Sequence, residues 1–174
     1  MAAMKRLPAR LCARPRILFV GINPSLRSAE VGHHFASPGN PFWRLLYAAR
    51  LIQKALTHEQ DGELPALGLA LTNICARPTR AASELTPREF KTGRAALARL
   101  ITRVQPDIVA FVGITVYRVF FGPGVGGGAG PKPERIAGAR LFVVPNPSGL
   151  NASYPGFGDK LVWFRGLKRF AERT

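Results

Sequence analysis

Two short apolar runs, each cut off by the same kind of loop, constrain this chain most. Ile17-Leu18-Phe19-Val20 runs straight into Gly21-Ile22-Asn23-Pro24-Ser25, and Leu141-Phe142-Val143-Val144 into Pro145-Asn146-Pro147-Ser148. Short apolar runs bounded by turn residues are the pattern of strands buried on both faces. Gly21 admits a tight turn, and Pro24 cannot continue a ladder. Parallel α/β sheets gather ligands at the carboxyl ends of their strands, so two such loops can meet over one pocket. Neither loop holds a His, Cys or Lys. Chemistry there must rest on placement and hydrogen bonding more than on a titrating base.

The rest of the chain fits the same architecture. Further strands are expected at 67–73 and 107–113. A helix is expected near 41–51, with Asn40-Pro41 as cap and first residue. Thr86-Pro87-Arg88-Glu89 is a capping box, and Phe90, Leu97, Leu100, Ile101 and Val104 form the apolar stripe behind it. A short helix near 114–120 and a final one near 157–173 follow. Segment 21–39 reads as loop, and 122–130 as a mobile glycine loop. Segment 53–66, with Glu59, Asp61 and Glu63, reads as a surface connection away from any DNA. Strands alternating with helices predict an α/β three-layer sandwich around a central, mainly parallel sheet of four to five strands. A chain of 174 residues suits one domain, here 15–174, after a basic and possibly flexible lead-in, 1–14.

Charge narrows the partners. The formal net charge is +15, spread along the chain, where solubility asks only for about 2–8. A polyanion is implied, nucleic acid first. Cys12 and Cys75 lie far apart, which excludes a zinc ribbon and a four-cysteine cluster within the chain. His33 and His34 have no evident third ligand and either touch phosphate or are solvated. No metal and no cofactor are expected. Neither a GxGxxG nor a GxxxxGK[ST] pattern is present. No apolar stretch reaches membrane-spanning length, so no membrane association is expected. A monomer in the cytoplasm, associated with the nucleoid, is the expectation.

Three features carry possible chemistry. The Asn23 amide can accept and donate hydrogen bonds but cannot act as a base near neutral pH; the alternative is a plain Asn-Pro turn. Phe35, in a polar, proline-bearing loop, either stacks on a flat heterocycle or plugs the space beneath its loop. Leu150 either wedges into a base stack or is a buried turn residue.

Taken in order, GINPSL, FASPGNPFW, LTN-x3-RPT and NPSGLN resemble the mismatch-specific uracil-DNA glycosylase and thymine-DNA glycosylase family, from about Ile17 to the C-terminal helix. The resemblance implies a uracil-DNA glycosylase-like fold. It also implies hydrolysis of the N-glycosidic bond of uracil in double-stranded DNA, with a preference for G·U mismatches, by base flipping, leaving an abasic site. It assigns the water-positioning amide to Asn23 and the stacking aromatic to Phe35. Uracil contacts fall to Ile22, Ser25 and Asn73. DNA contacts fall to Ser37, Asn146, Ser148, Gly149, the wedge Leu150, and Asn151. Ser25 stands where the family usually has Gly, and so narrows the pocket or adds a hydrogen bond. Asn73 stands where bacterial mismatch-specific members often carry Lys. Ala152 replaces the basic residue that can follow the wedge. With no Lys in either motif, a covalent lyase step lacks its amine. Glu84 is the acid to watch as a secondary base, against the plainer reading of a surface charge near a helix. The competing reading of the whole chain is a non-catalytic DNA-binding module of the same fold. A third class is a nucleotide or sugar-phosphate enzyme on a similar sheet.

Overall fold

The computed structural model of the chain describes residues 6–148 and 151–173. Its centre is a sheet of β1 (Ile17–Gly21), β2 (Leu69–Asn73), β3 (Ile108–Val112), β4 (Gly130–Ile136) and β5 (Ala139–Val144). These lie in the order β2-β1-β3-β5-β4. All neighbours run parallel except β4, which is antiparallel to β5. The helices are α1 (Leu26–Val31), α2 (Phe42–Ala48), α3 (Pro87–Val104), α4 (Ile114–Phe121) and α5 (Phe157–Glu172).

Side chains alternate across a strand, and the apolar runs therefore feed two cores at once. Ile17, Phe19, Leu71 and Ala110 pack with Phe42, Leu45 and Leu46 of α2 and Phe164 and Leu167 of α5. Leu18, Val20, Ala70 and Val109 pack on the other side with Leu97 and Ile101 of α3 and Val116 and Tyr117 of α4. The result is the three-layer α/β sandwich expected from the alternation of strands and helices.

Two elements were not foreseen. α1 lies inside the stretch expected to be loop. It is a six-residue helix capped by the Ser25 hydroxyl, which accepts from Ser28 N, and closed by Gly32 in the left-handed region at φ 78°. β4 carries Pro131 and Pro133, which obscure a strand in sequence. Proline is tolerated only where no ladder bond is needed, and β4 is the sheet margin. The described part of the lead-in is tied to β2 and to the end of α3. Arg10 exchanges backbone bonds of 2.9 and 2.8 Å with Leu71, and Arg14 N reaches Val104 O at 2.8 Å.

The chain leaves β1 to build β2 on one side and then crosses to β3 on the other. The carboxyl ends of β1 and β3 therefore flank a topological switch point, where a crevice opens.

Gly93 fixes how closely α3 meets the sheet. A Cβ there would fall 2.2 Å from Ile74 O, whereas one at Gly158 in α5 meets nothing within 4 Å. Gly93→Ala should cost about 1–3 kcal/mol, seen as a fall of roughly 2–12 °C in the thermal midpoint. Gly158→Ala should melt at or slightly above the parent. Equal midpoints for Gly93→Ala and the parent would disprove the close approach.

Candidate active site

Every parallel strand contributes to one cavity of about 130 Å³ at the carboxyl end of the sheet. Gly21 to Ser25 follow β1, Asn73 ends β2, Val112 ends β3, and Asn146 lies beyond β5. Phe35, Ser37 and Asn40 close it from the loop before α2, and Leu7 and His34 complete the wall. The structure thus brings together Ile22, Asn23, Ser25, Phe35, Ser37, Asn73 and Asn146. Ser148 and Asn151 line an adjoining cavity of about 440 Å³ that shares Ile22, Val112 and Asn146 with the first. Gly149 and Leu150, expected to read the opposing base and to wedge, lie outside the described residues.

Asn23 has a defined orientation. Its Nδ2 donates to Arg77 O at 2.8 Å and to Thr79 Oγ1 at 2.7 Å. A main-chain carbonyl only accepts, so the nitrogen must face Arg77 and the amide cannot be flipped. Thr79 Oγ1 in turn donates to Ala81 O at 2.8 Å, which commits it to accepting from Asn23. Both amide protons are spent, and Oδ1 is left as the accepting atom, with no protein donor among the described residues.

The acceptors come from the RPT segment because pairing continues past the sheet. Ile74 N bonds Gly21 O and Cys75 N bonds Ile22 O, each at 2.9 Å, and Thr79 N reaches Pro24 O at 3.3 Å. Arg77 is itself clamped. Its guanidinium meets Glu89 at 2.6 and 3.0 Å and Glu84 O at 2.8 Å. The Arg77 hydrogen bond, and then the Thr86 N–H, hold the Glu89 carboxyl down at about 2. Glu84, singled out as a possible secondary base, instead accepts from Ala81 N at 2.8 Å and is not among the residues lining the cavity. The motifs alone do not single out Arg77 and Thr79 as the supports of Asn23. Their one signal in the sequence is their place in the LTN-x3-RPT motif.

Phe35 fills the space beneath its loop. One face stacks on Phe42, with centroids 3.8 Å apart and planes 20° apart, while the residue also lines the cavity. Its φ of 53° is left-handed, a conformation that persists only when neighbours enforce it. They do. His34 N donates to Asp61 Oδ2 at 2.8 Å, Trp43 Nε1 to His34 O at 3.1 Å, and Ala36 N to Ser28 Oγ at 3.0 Å. Among the described residues the main chain of Phe35 itself makes no hydrogen bond, so its N–H and C=O remain available.

This network corrects two expectations. Asp61 is not on a solvated surface connection but fully buried. Besides His34 N it meets His33 Nδ1 at 3.0 Å and the Arg10 guanidinium at 3.2 Å. Burial alone would push its carboxyl up; the bonds from His33 and His34 and the Arg10 charge outweigh that and lower it. His34 is neither solvated nor placed for phosphate: it is buried, and its Nε2 lies 2.8 Å from Pro8 O. That carbonyl requires the proton on Nε2, and burial pushes the imidazole below its ordinary pKa, keeping it neutral.

Ser25 is occupied by structure. It accepts from Ser28 N at 3.0 Å and Ser37 Oγ at 3.1 Å and donates to Ser28 Oγ at 3.0 Å, sewing the first loop to the Phe35 loop. Asn73 depends on its neighbour: a Cβ on Gly21 would fall 2.5 Å from Asn73 Oδ1. Asn146 Oδ1 accepts from Ser148 N at 2.9 Å, and Asn151 Nδ2 returns to Asn146 O at 3.2 Å, so this loop braces itself. Among the described residues no group of three His, Cys, Asp or Glu side chains is arranged to hold a metal, and no helix is long and apolar enough to cross a membrane.

The model of the uracil DNA glycosylase superfamily matches residues 8–166. The chain belongs to this superfamily. Within it, the chain is 32% identical over 176 residues to a G/U mismatch-specific uracil DNA glycosylase from Schizosaccharomyces pombe. That match covers 93% of this glycosylase-family chain and 53% of the relative, so the chain spans about half the relative's length. A Methanosarcina acetivorans protein solved by NMR as a candidate uracil DNA glycosylase shares the fold. Its TM-score is 0.63 at 22% identity, over 95% of this chain and 98% of the other.

The Arg77–Glu89 clamp gives a pH signature. Because the folded pKa of Glu89 lies below its ordinary value of 4.5, at about 2, its stabilisation is complete above the ordinary value and is lost as pH falls toward the folded one. Unfolding midpoints of the parent and Glu89→Gln should differ at neutral pH and converge near pH 2. Coincident midpoints at neutral pH would show that the clamp contributes nothing.

Proposed function

We propose that this chain hydrolyses the N-glycosidic bond of uracil in double-stranded DNA, preferring uracil opposite guanine, and releases the base to leave an abasic site. The observation that carries the reading is the fixed Asn23 amide, with both protons spent and Oδ1 left to accept, on a residue that lines one cavity together with an aromatic ring. The mismatch-specific relative supports the choice of substrate.

A duplex hides the glycosidic bond, so the nucleotide flips out. Flipping costs a few kcal/mol, and less for a mismatched base, which favours G·U over A·U. The free face of Phe35 then stacks on uracil for about 1–3 kcal/mol. Ile22, Asn73 and the open main chain of Phe35 meet the edge of the base. Ser37, Asn146, Ser148, Gly149 and Asn151 hold the surrounding DNA, and Leu150 fills the gap. Asn23 Oδ1 accepts a hydrogen bond from one water and aims that water's oxygen at C1′. The C1′–N1 bond breaks, the electron pair leaves with uracil, the water oxygen bonds C1′, and its proton passes to solvent. Fixed main-chain N–H groups of the first loop stabilise the uracil anion. An amide orients water without deprotonating it, so the chemical step is modest in rate.

Asn23→Ala should release uracil at least about 10²-fold more slowly while still binding the duplex, measured by alkali-labile sites beside a gel shift. Parental cleavage by Asn23→Ala would refute the assignment. No cleavage by the parent itself would favour the non-catalytic DNA-binding module.

Thr79 acts by positioning Asn23. Thr79→Val should lower single-turnover cleavage roughly two- to thirteenfold, the worth of one neutral hydrogen bond of about 0.5–1.5 kcal/mol. Thr79→Ser should restore the rate, and duplex affinity should stay constant in both. Equal loss in Val and Ser variants would point to packing instead.

A further inference from the structure

A second hollow lies at the opposite end of the sheet from the cavity beneath Asn23. Arg16 directly precedes β1 and Leu67 lies just before β2, so this space, about 610 Å³, opens at the amino ends of the strands. Five residues of β1, roughly 16 Å of strand, separate it from Asn23. Leu51, Ile52 and Leu56 are buried, and Leu67 is 48% exposed at its edge. Arg16, Arg50, Lys54 and Lys168 stand around these apolar groups against the single acid Glu63. Lys168 is matched by Glu172 at 2.8 Å, and that carboxyl also feels the Arg16 charge, but Arg50 and Lys54 make no ion pair among the described residues. An adjoining hollow adds Arg165 and Arg169.

These cations lie a full strand length from the cavity that holds Asn23, and the proposed reaction gives them no role. A phosphate backbone would use the charges but gain nothing from Leu51, Ile52 and Leu67. A second copy of a chain carrying +15 would meet like charge with like charge. An acidic, amphipathic peptide satisfies both halves of the surface.

We propose that this amino-end cavity docks an acidic peptide segment of a partner protein, with apolar side chains over Leu51, Ile52 and Leu67 and carboxylates against Arg16, Arg50 and Lys54. The inference does not depend on the catalytic reading.

A fluorescein-labelled peptide of alternating Glu and Leu, titrated with the full chain and read by anisotropy, tests it. Binding should persist with a saturating unlabelled DNA duplex present. It should weaken at least tenfold in Lys54→Glu and in Arg50→Glu, and several-fold in Leu67→Ser, with parental melting confirming that each variant folds. A Glu/Ser peptide should bind at least tenfold less tightly. The proposal is overturned if the duplex displaces the peptide, if the charge reversals leave binding unchanged, or if the Glu/Ser peptide binds equally well. It is equally overturned if Lys54→Glu weakens duplex binding, because the face would then be a nucleic-acid contact.

Discussion

The bonds that Asn23 gives to Arg77 O and Thr79 Oγ1 exist because the loops after β1 and β2 keep pairing beyond the sheet. Backbone pairing at Gly21, Ile22 and Pro24 sets the register, and the register brings two acceptors to one amide. A donor chain with one direction, Asn23 to Thr79 to Ala81, removes the two-fold ambiguity that an amide otherwise has. The side chain is thus held in one orientation by the protein itself, with Oδ1 left as its accepting atom among the described residues.

The Phe35 loop meets the same demand with different chemistry. A left-handed aromatic residue is unfavourable alone, and it is held by bonds on the residues either side of it. The anchor is Asp61, fully buried and bonded to donors from His33 and His34 beside the Arg10 charge. A carboxylate this deep is tolerable only when its oxygens are satisfied. Removing one donor would leave the others facing an under-compensated charge, so the anchor resists loosening. The three serines at positions 25, 28 and 37 then lock this loop to the one that carries Asn23.

How much of this could be read in the sequence follows the range of the forces. The apolar runs at 17–20 and 141–144 and the capping box at Thr86 are local signals, and the structure places β1, β5 and α3 on them. α1 is too short for periodicity to show, and the prolines of β4 mask a strand. The motifs located the cavity, because Asn23, Phe35, Asn73 and Asn146 do converge there. What stayed hidden was the support. Thr79 lies 56 residues from Asn23, and Asp61 lies 27 from His34. Neither distance leaves a local pattern, and an acid among other acids looks solvated until its burial is known.

The two margins of the sheet carry a consequence of their own. Along β4, Pro131 and Pro133 offer no amide hydrogen to an incoming strand, and Lys132 lies between them. Along β2, Leu71 has already spent its outward peptide groups on Arg10. Unpaired strand edges are templates for cross-β growth. Both margins therefore oppose edge-to-edge pairing, which shields the almost wholly apolar central strands from recruitment by a second chain.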